Sequence, residues 1–182
     1  MSLVELIAQA DERGLAASGL ACLDRCVPLL GGDDELLRPL WASLADTGDW
    51  GAGLEAARGK LGAGEDAGED EAAVLARRML DAAPAAPDAG EVRVWADACS
   101  VASLQIHRLL DPASAGTPVD ACREGRTDGV PPLVAAELRR QITVLEVVAG
   151  HGTAGLRRAL EVSVEGRRVL RAVVSRRARG RS

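Results

Sequence analysis

Four side chains that could do chemistry recur at four-residue intervals in the stretch CSVASLQIHRLLD: Cys99, Ser103, His107 and Asp111. On a helix four residues advance about 400°, so neighbouring members of this column lie close together. A thiol or hydroxyl beside an imidazole and a carboxylate could form a nucleophile with its base and orienting acid. Such a site also needs donors for the developing oxyanion, and the backbone N–H groups inside a helix are already used.

A structural interpretation of the same column is therefore preferred. Cys99 falls on the apolar stripe of its helix and resembles a small core residue. Ser103 is placed to bond a backbone carbonyl one turn back. His107 lies near the helix end, where the dipole and Asp111 both favour an imidazolium. We expect His107 to be a surface residue that closes the helix, and we assign no catalytic residue; enzymatic activity stays open, with a non-enzyme preferred.

The sequence offers little support for a metal or cofactor. Cys22 and Cys26 stand at i,i+4, but no CxxC, HExxH or Glu-x-x-His pattern accompanies them. The glycines form neither a GxGxxG nor a GxxxxGK loop, which argues against nucleotide binding. We expect no metal and no cofactor.

Arginines supply two further candidate sites. Arg123 and Arg126 in the run CREGRTDG could bind an anion together with His107, or could tie a loop to neighbouring carboxylates. The C-terminal end carries a basic tail with no acidic residue: Arg176, Arg177, Arg179 and Arg181. We expect residues 176–182 to be disordered, because they have little to bury, and to attract nucleic acid weakly and without sequence specificity.

The composition predicts an all-α protein. The 182 residues include no Phe and no Tyr, and Ala, Leu and Arg dominate, as in a protein from a high-GC bacterium. The start has no secretory signal, and no run reaches ~18 uninterrupted apolar residues, so we expect a cytoplasmic protein with no membrane contact. The four scattered cysteines are then expected to be reduced thiols.

Charge is distributed unevenly along the chain. Residues 1–100 hold 19 acidic and 8 basic side chains, a net charge of −11, whereas residues 101–182 hold 8 and 14, a net charge of +6. This asymmetry indicates either that the halves pack on each other or that the basic end has an anionic partner.

Apolar spacing predicts the individual helices. A Gly- and acid-rich linker covers 62–71, and a helix follows it with Ala72, Leu75, Ala76, Met79 and Leu80 buried. A second linker covers 84–90. Helices are expected over 90–111, 133–149 and 154–178, and the connection over 111–132 needs a task, a short helix of its own or disorder. Ser163 and Gly166 interrupt the last apolar stripe, where another backbone could approach.

The first 62 residues align with themselves at an offset of 34 residues. Leu3 falls on Leu37, Gly19 on Gly53 and Leu20 on Leu54. This spacing resembles the tetratricopeptide repeat, a helical hairpin of the same length. The resemblance implies hairpins that form a groove for a protein partner, and we place its lining at Leu37, Trp41, Leu44 and Trp50.

The predicted architecture is therefore two repeat-like helical hairpins over 1–62, followed by an antiparallel helical bundle over 63–182, packed as one globular unit. We expect a non-catalytic interaction or regulatory protein whose partner is another protein, with a homodimer as a further alternative. A nucleic-acid-associated protein that uses the basic end is the second hypothesis. An anion-binding protein or enzyme that uses the 107–129 region is the third.

Overall fold

The computed structural model describes residues 1–45, 48–62, 70–87, 89–113 and 116–181. Within these ranges the chain is helical and has no β-strand, which confirms the all-α prediction. The helices are α1 (Leu3–Gln9), α2 (Glu12–Cys26), a 3-10 helix (Val27–Leu29), α3 (Arg38–Leu44), α4 (Trp50–Gly62), α5 (Glu71–Asp81), α6 (Ala89–Leu110), α7 (Val119–Arg123) and α8 (Pro132–Arg179). Most of the predicted linker over 62–71 lies outside the described residues.

Helix α2 lies at the centre of the fold and is buried on nearly all sides. Its N-terminus is capped by Asp11, whose carboxylate accepts a hydrogen bond from the backbone N–H of Gly14 at 2.8 Å. Every residue from Gly14 to Cys26 is buried, and the helix packs mainly against α8 and α6. The charged residues in this span, Asp24 and Arg25, must therefore find their partners in the interior.

The two units that align at 34 residues are packed differently. Helix α3 packs on α4, as in a hairpin, whereas α1 lies against α8 and α6. Prolines mark two helix boundaries: Pro28 lies in the 3-10 helix, and Pro39 lies in the first turn of α3. The described structure shows no tetratricopeptide-like repeat, so that arrangement and the division at residue 62 stay predictions.

The four residues expected to line a partner groove are all buried in the core: Leu37, Trp41, Leu44 and Trp50. The indole N–H of Trp41 donates to Asp24 at 2.8 Å, and that of Trp50 donates to the carbonyl of Pro84 at 2.9 Å. The expectation of an open groove at these positions is corrected, because a large aromatic with a satisfied N–H contributes most to stability when it is buried.

Trp95 joins α6 to three other helices. Its indole N–H donates to the carbonyl of Met79 in α5 at 2.9 Å. Its ring meets the ring of Trp50 edge to face, with centroids 6.0 Å apart. A Cβ on Gly19 of α2 would lie only 2.5 Å from this ring. The missing side chain at Gly19 therefore lets α6 approach the central helix.

Helix α8 is a hairpin of two arms, 132–151 and 153–179. Gly152 has φ 54° and ψ −127°, a conformation that glycine adopts most easily. The chain doubles back there so sharply that a Cβ on Gly155 would overlap the carbonyl oxygen of Val147. This reversal confirms the break between the helices that the sequence predicts over 133–149 and 154–178.

The long connection after α6 contains a short helix, α7, which confirms one of the alternatives for this segment. Asp111 fixes both ends of the connection. Its carboxylate accepts hydrogen bonds from the backbone N–H groups of Ala113 and Leu133, each at 2.8 Å. The start of α8 is thereby tied to the end of α6.

The C-terminal arm of α8 continues through Arg179, so the expected disorder of the basic tail is wrong for residues 176–179. The helix persists because its preceding turns are packed: Leu170 is fully buried, and Val173 is partly buried against the core. Arg177 also forms an ion pair with Asp70 at 3.6 Å.

We predict that Gly166→Ala destabilises the protein. A Cβ on Gly166 would overlap Cδ of Arg25 and lie 3.0 Å from Cδ of Arg140, so the added methyl overpacks the contact between α2 and α8. The expected loss in the free energy of unfolding is about 1–3 kcal/mol, measured by urea denaturation.

Gly150→Ala, on the same helix, is the matched control. A Cβ on Gly150 would meet nothing within 4 Å, so this change should leave stability equal or slightly higher. Equal stability of the two variants would contradict the close crossing at Gly166.

Candidate functional site

The polar column on α6 faces the interior and not the solvent. All four of its members are buried: Cys99, Ser103, His107 and Asp111. The expectation of a surface His107 is wrong, since this side chain is only 1% exposed. Its Nδ1 lies 2.7 Å from the backbone carbonyl oxygen of Ser103, and its Nε2 lies 3.6 Å from Oε2 of Glu137. The column therefore meets a polar cluster supplied by α2 and α8.

A fully buried ion pair between Arg25 and Glu137 forms the centre of this cluster. Both side chains have no exposed surface. Nε of Arg25 donates to Oε2 of Glu137, and Nη2 donates to Oε1, each at 2.7 Å. This two-point contact is the strongest arrangement available to the two groups, and it fixes their relative orientation.

Neutral donors complete the shell of Glu137. Ser103 donates its hydroxyl to Oε1 at 2.8 Å, and Gln141 donates its amide to the same oxygen at 2.9 Å. The amide oxygen of Gln141 accepts from Ser100 at 2.6 Å, and Ser100 in turn accepts from Nε of Arg123 at 3.2 Å. The carboxylate is thus linked by a continuous chain of hydrogen bonds from α2 to α7.

The cluster fixes the charge of its members. Burial alone would raise the pKa of Glu137, but the guanidinium of Arg25 and the surrounding donors hold that pKa at about 2. Burial lowers the pKa of His107 and outweighs the opposing effect of the Glu137 carboxylate. At neutral pH the cluster therefore holds a carboxylate, a guanidinium and a neutral imidazole.

The nearby cysteines are not poised as nucleophiles. Cys22 accepts a hydrogen bond from Nη2 of Arg25 at 3.5 Å, yet burial raises the pKa of its thiol to about 12. Burial also raises the pKa values of Cys26 and Cys99. A reactive cysteine needs an accessible thiolate, and these thiols are both protonated and buried. All four cysteines of the chain are unpaired in the structure.

A second buried pair, Asp24 with Arg167, ties a neighbouring face of α2 to the second arm of α8. Asp24 accepts hydrogen bonds from Trp41 and from Nη1 of Arg167. Burial raises the pKa of Asp24, while Arg167 and Trp41 oppose that change. Asp34 extends this contact to the surface, where it pairs with Arg171. The adjacent residues Asp24 and Arg25 of α2 therefore pair with different arms of the α8 hairpin, and they hold the two arms in register.

The three residues proposed for an anion site, His107, Arg123 and Arg126, have different surroundings and different partners. Arg123 is buried and bonded to Asp97 and Ser100. Arg126 is exposed, and its guanidinium pairs with Glu124 at 2.6 Å. His107 faces the interior cluster instead. Both arginines thus already contact carboxylates, as in the structural alternative that the sequence allows.

The described part of the chain has neither a cluster of metal ligands nor a membrane-spanning helix. There, no group of three or more His, Cys, Asp or Glu side chains is arranged to hold a metal ion. In the same ranges, no helix combines the length and the apolar character that crossing a bilayer requires.

An exposed groove lies where the C-terminal ends of α6 and α8 meet; we call it the α6–α8 groove. Its volume is about 460 Å³. Its apolar lining consists of Leu109, Leu110, Pro112, Leu133 and Val173, and its basic lining of Arg176 and Arg177. Apolar spacing of 3 and 4 from Trp95 through Cys99, Ala102 and Ile106 predicts that Leu109 is buried. In the structure Leu109 is 40% exposed, and Leu110 is buried in its place.

Sequence reasoning missed the central residues of the interior cluster. Arg25 lies within an apolar helix, and Glu137 and Gln141 stand at i,i+4 within the apolar stripe that opens α8. Two polar residues one turn apart on a buried face were the available signal, since buried charges require partners. The sequence alone could not show which distant residue would pair with which.

Comparisons with protein-family models, with curated proteins and with solved structures each gave no match.

We predict that His107 makes stability depend on pH. Its pKa is lower in the folded protein than the unfolded value of 6.5, so below that pH the unfolded state binds the proton first. The free energy of unfolding should therefore be highest above pH 6.5 and fall as the pH drops through the folded pKa. Urea denaturation at a series of pH values between 7.5 and 5 measures this slope.

His107→Gln should flatten the slope in that window. The matched control is His151→Gln, because His151 is the second of two histidines and is exposed. The control should keep the wild-type slope. An unchanged slope in His107→Gln would show that His107 is not held neutral by burial.

Proposed function

We propose that the protein is a non-catalytic interaction or regulatory protein that binds another protein through the α6–α8 groove. The observation that carries this proposal is the make-up of that groove, in which a half-exposed Leu109 and apolar neighbours lie beside Arg176 and Arg177. Exposed apolar surface bordered by polar groups is typical of interaction sites.

The interior supports a non-catalytic role. The groups of the interior cluster that could act as acid, base or nucleophile are His107, Glu137 and the thiols of α2, and all are buried. A general acid or base must come within hydrogen-bond distance of a substrate, which a side chain sealed in the core does not do. Their hydrogen bonds connect helices to one another and favour a structural role.

The groove also favours a particular class of partner. The one carboxylate in its lining, Asp111, is occupied by two backbone N–H groups. Arg176 has no hydrogen bond or ion pair to any side chain in the described ranges, and Arg177 reaches only Asp70. An acidic amphipathic segment would bury its apolar side chains on Leu109 and Val173 and place its carboxylates by the arginines.

A nucleic-acid partner is the second candidate, because Arg176 and Arg179 at the end of α8, and Arg181 just after it, are exposed. Arginine side chains bind phosphate well. However, all three tryptophans are buried and the chain lacks Phe and Tyr, so no exposed aromatic can stack on bases. A phosphate backbone also has no apolar groups that could pack against the apolar side chains of the α6–α8 groove.

We predict that a photo-crosslinking amino acid at position 109 captures a protein in native cells. The adduct should disappear when Arg176→Glu and Arg177→Glu are combined, because the charge that attracts the acidic segment is reversed. It should persist in Arg157→Glu, a matched change of a side chain that is 90% exposed on another part of α8. Gel electrophoresis and mass spectrometry measure the adduct.

Two outcomes would contradict the proposal. Adducts no stronger than those from the same probe at Val4, an exposed site on α1, would remove the α6–α8 groove as an interface. Adducts that nuclease treatment removes, and that depend on the two arginines, would favour the nucleic-acid alternative.

A further inference from the structure

The face formed by α5 and α6 carries a second exposed apolar surface, distinct from the α6–α8 groove; we call it the α5–α6 face. Two adjoining cavities of about 380 and 610 Å³ lie along it. They share three lining residues: Ala82, Trp95 and Ala98. Val94 lies in this face and is 72% exposed.

Two unpaired charges stand on this face. Arg78 lines one cavity together with Ala98, and Glu91 lines the other together with Val94. Neither side chain forms an ion pair or hydrogen bond with another side chain in the described ranges, and both are exposed. An apolar surface with one charge of each sign is complementary to an apolar surface that places an acidic group opposite Arg78 and a basic group opposite Glu91.

A second copy of this chain meets that requirement. Glu91 lies three residues before Val94 on α6, and Ala98, which lines the same cavity as Arg78, lies four residues after it, each about one turn away. A two-fold axis at Val94 with antiparallel α6 helices therefore brings Glu91 of each copy to the level of the other copy's Arg78. The contact therefore contains two Arg78–Glu91 ion pairs, which the two-fold axis relates to each other.

We infer that the protein forms a symmetric homodimer through the α5–α6 face, with Val94 at the two-fold axis. Such an interface is isologous, so one patch serves both subunits. The α6–α8 groove stays available to a partner, because Leu109 lies fifteen residues from Val94, about 22 Å along the helix. The dimer does not depend on the proposed function and extends it, since each dimer would present two grooves.

Sedimentation equilibrium of the purified chain tests the inference. We expect a mass of twice 18.9 kDa for the wild type. Arg78→Glu alone and Glu91→Arg alone should each raise the dimer dissociation constant about tenfold or more, because each places like charges opposite one another. The double variant R78E/E91R should return to within a few-fold of the wild type, since the pairs are restored with exchanged signs.

Val94→Cys gives an independent test of the axis. A disulfide forms only between residues whose Cα atoms are within about 7 Å, which places such a pair at or beside the axis. Mild oxidation should cross-link Val94→Cys into a dimer and leave Val4→Cys, an exposed control on α1, monomeric. The native cysteines are all buried and should not interfere.

Several results would overturn the inference. A wild-type monomer at tens of micromolar concentration would do so, as would cross-linking that is equal at positions 94 and 4. A dimer that neither charge reversal weakens, or that the double variant fails to restore, would exclude this interface. Equal melting temperatures of the variants would show that they remain folded, because both charged side chains are exposed.

Discussion

The structure depends on one interaction, the buried ion pair between Arg25 and Glu137. Removing two charges from water costs several kcal/mol for each ion, and only excellent geometry offsets this cost. Here the contact has two points, and Ser103 and Gln141 supply further donors. Nη1 of Arg25 is buried and has no hydrogen-bond partner in the described ranges. This missing bond costs free energy, so the stability of the pair depends on the bonds that Arg25 and Glu137 do form.

The pair also determines how three helices are arranged. Arg25 comes from the central helix α2, Glu137 from the first arm of α8, and Ser103 from α6. Gly166 on the second arm provides the space in which the Arg25 side chain lies. A different rotation of any of these helices would leave a buried charge without its partner, so the cluster favours a single packing.

The sequence predicted local features better than long-range ones. The turn at Gly152 follows from local chemistry, and α7 is one of the alternatives that the sequence left open for its segment. Gly166 is closely packed, as expected, but its neighbours are the side chains of Arg25 and Arg140 and not another backbone. The environment of His107 was predicted wrongly. Periodicity identifies an apolar stripe, but it does not identify a polar residue in the core whose partner, here Glu137, is far away in the sequence. Leu109 was misplaced because the stripe of α6 shifts by one residue, to Leu110, at the helix end.

A double-mutant cycle on Arg25→Met and Glu137→Leu tests this account most directly, with the free energy of unfolding measured by urea denaturation. Each single change leaves an unpaired charge in the core and should cost about 3–5 kcal/mol. The double variant replaces both charges with apolar side chains and should be far more stable than the sum of the two losses implies. Additive losses, or single variants as stable as the wild type, would contradict the claim that this pair organises the fold.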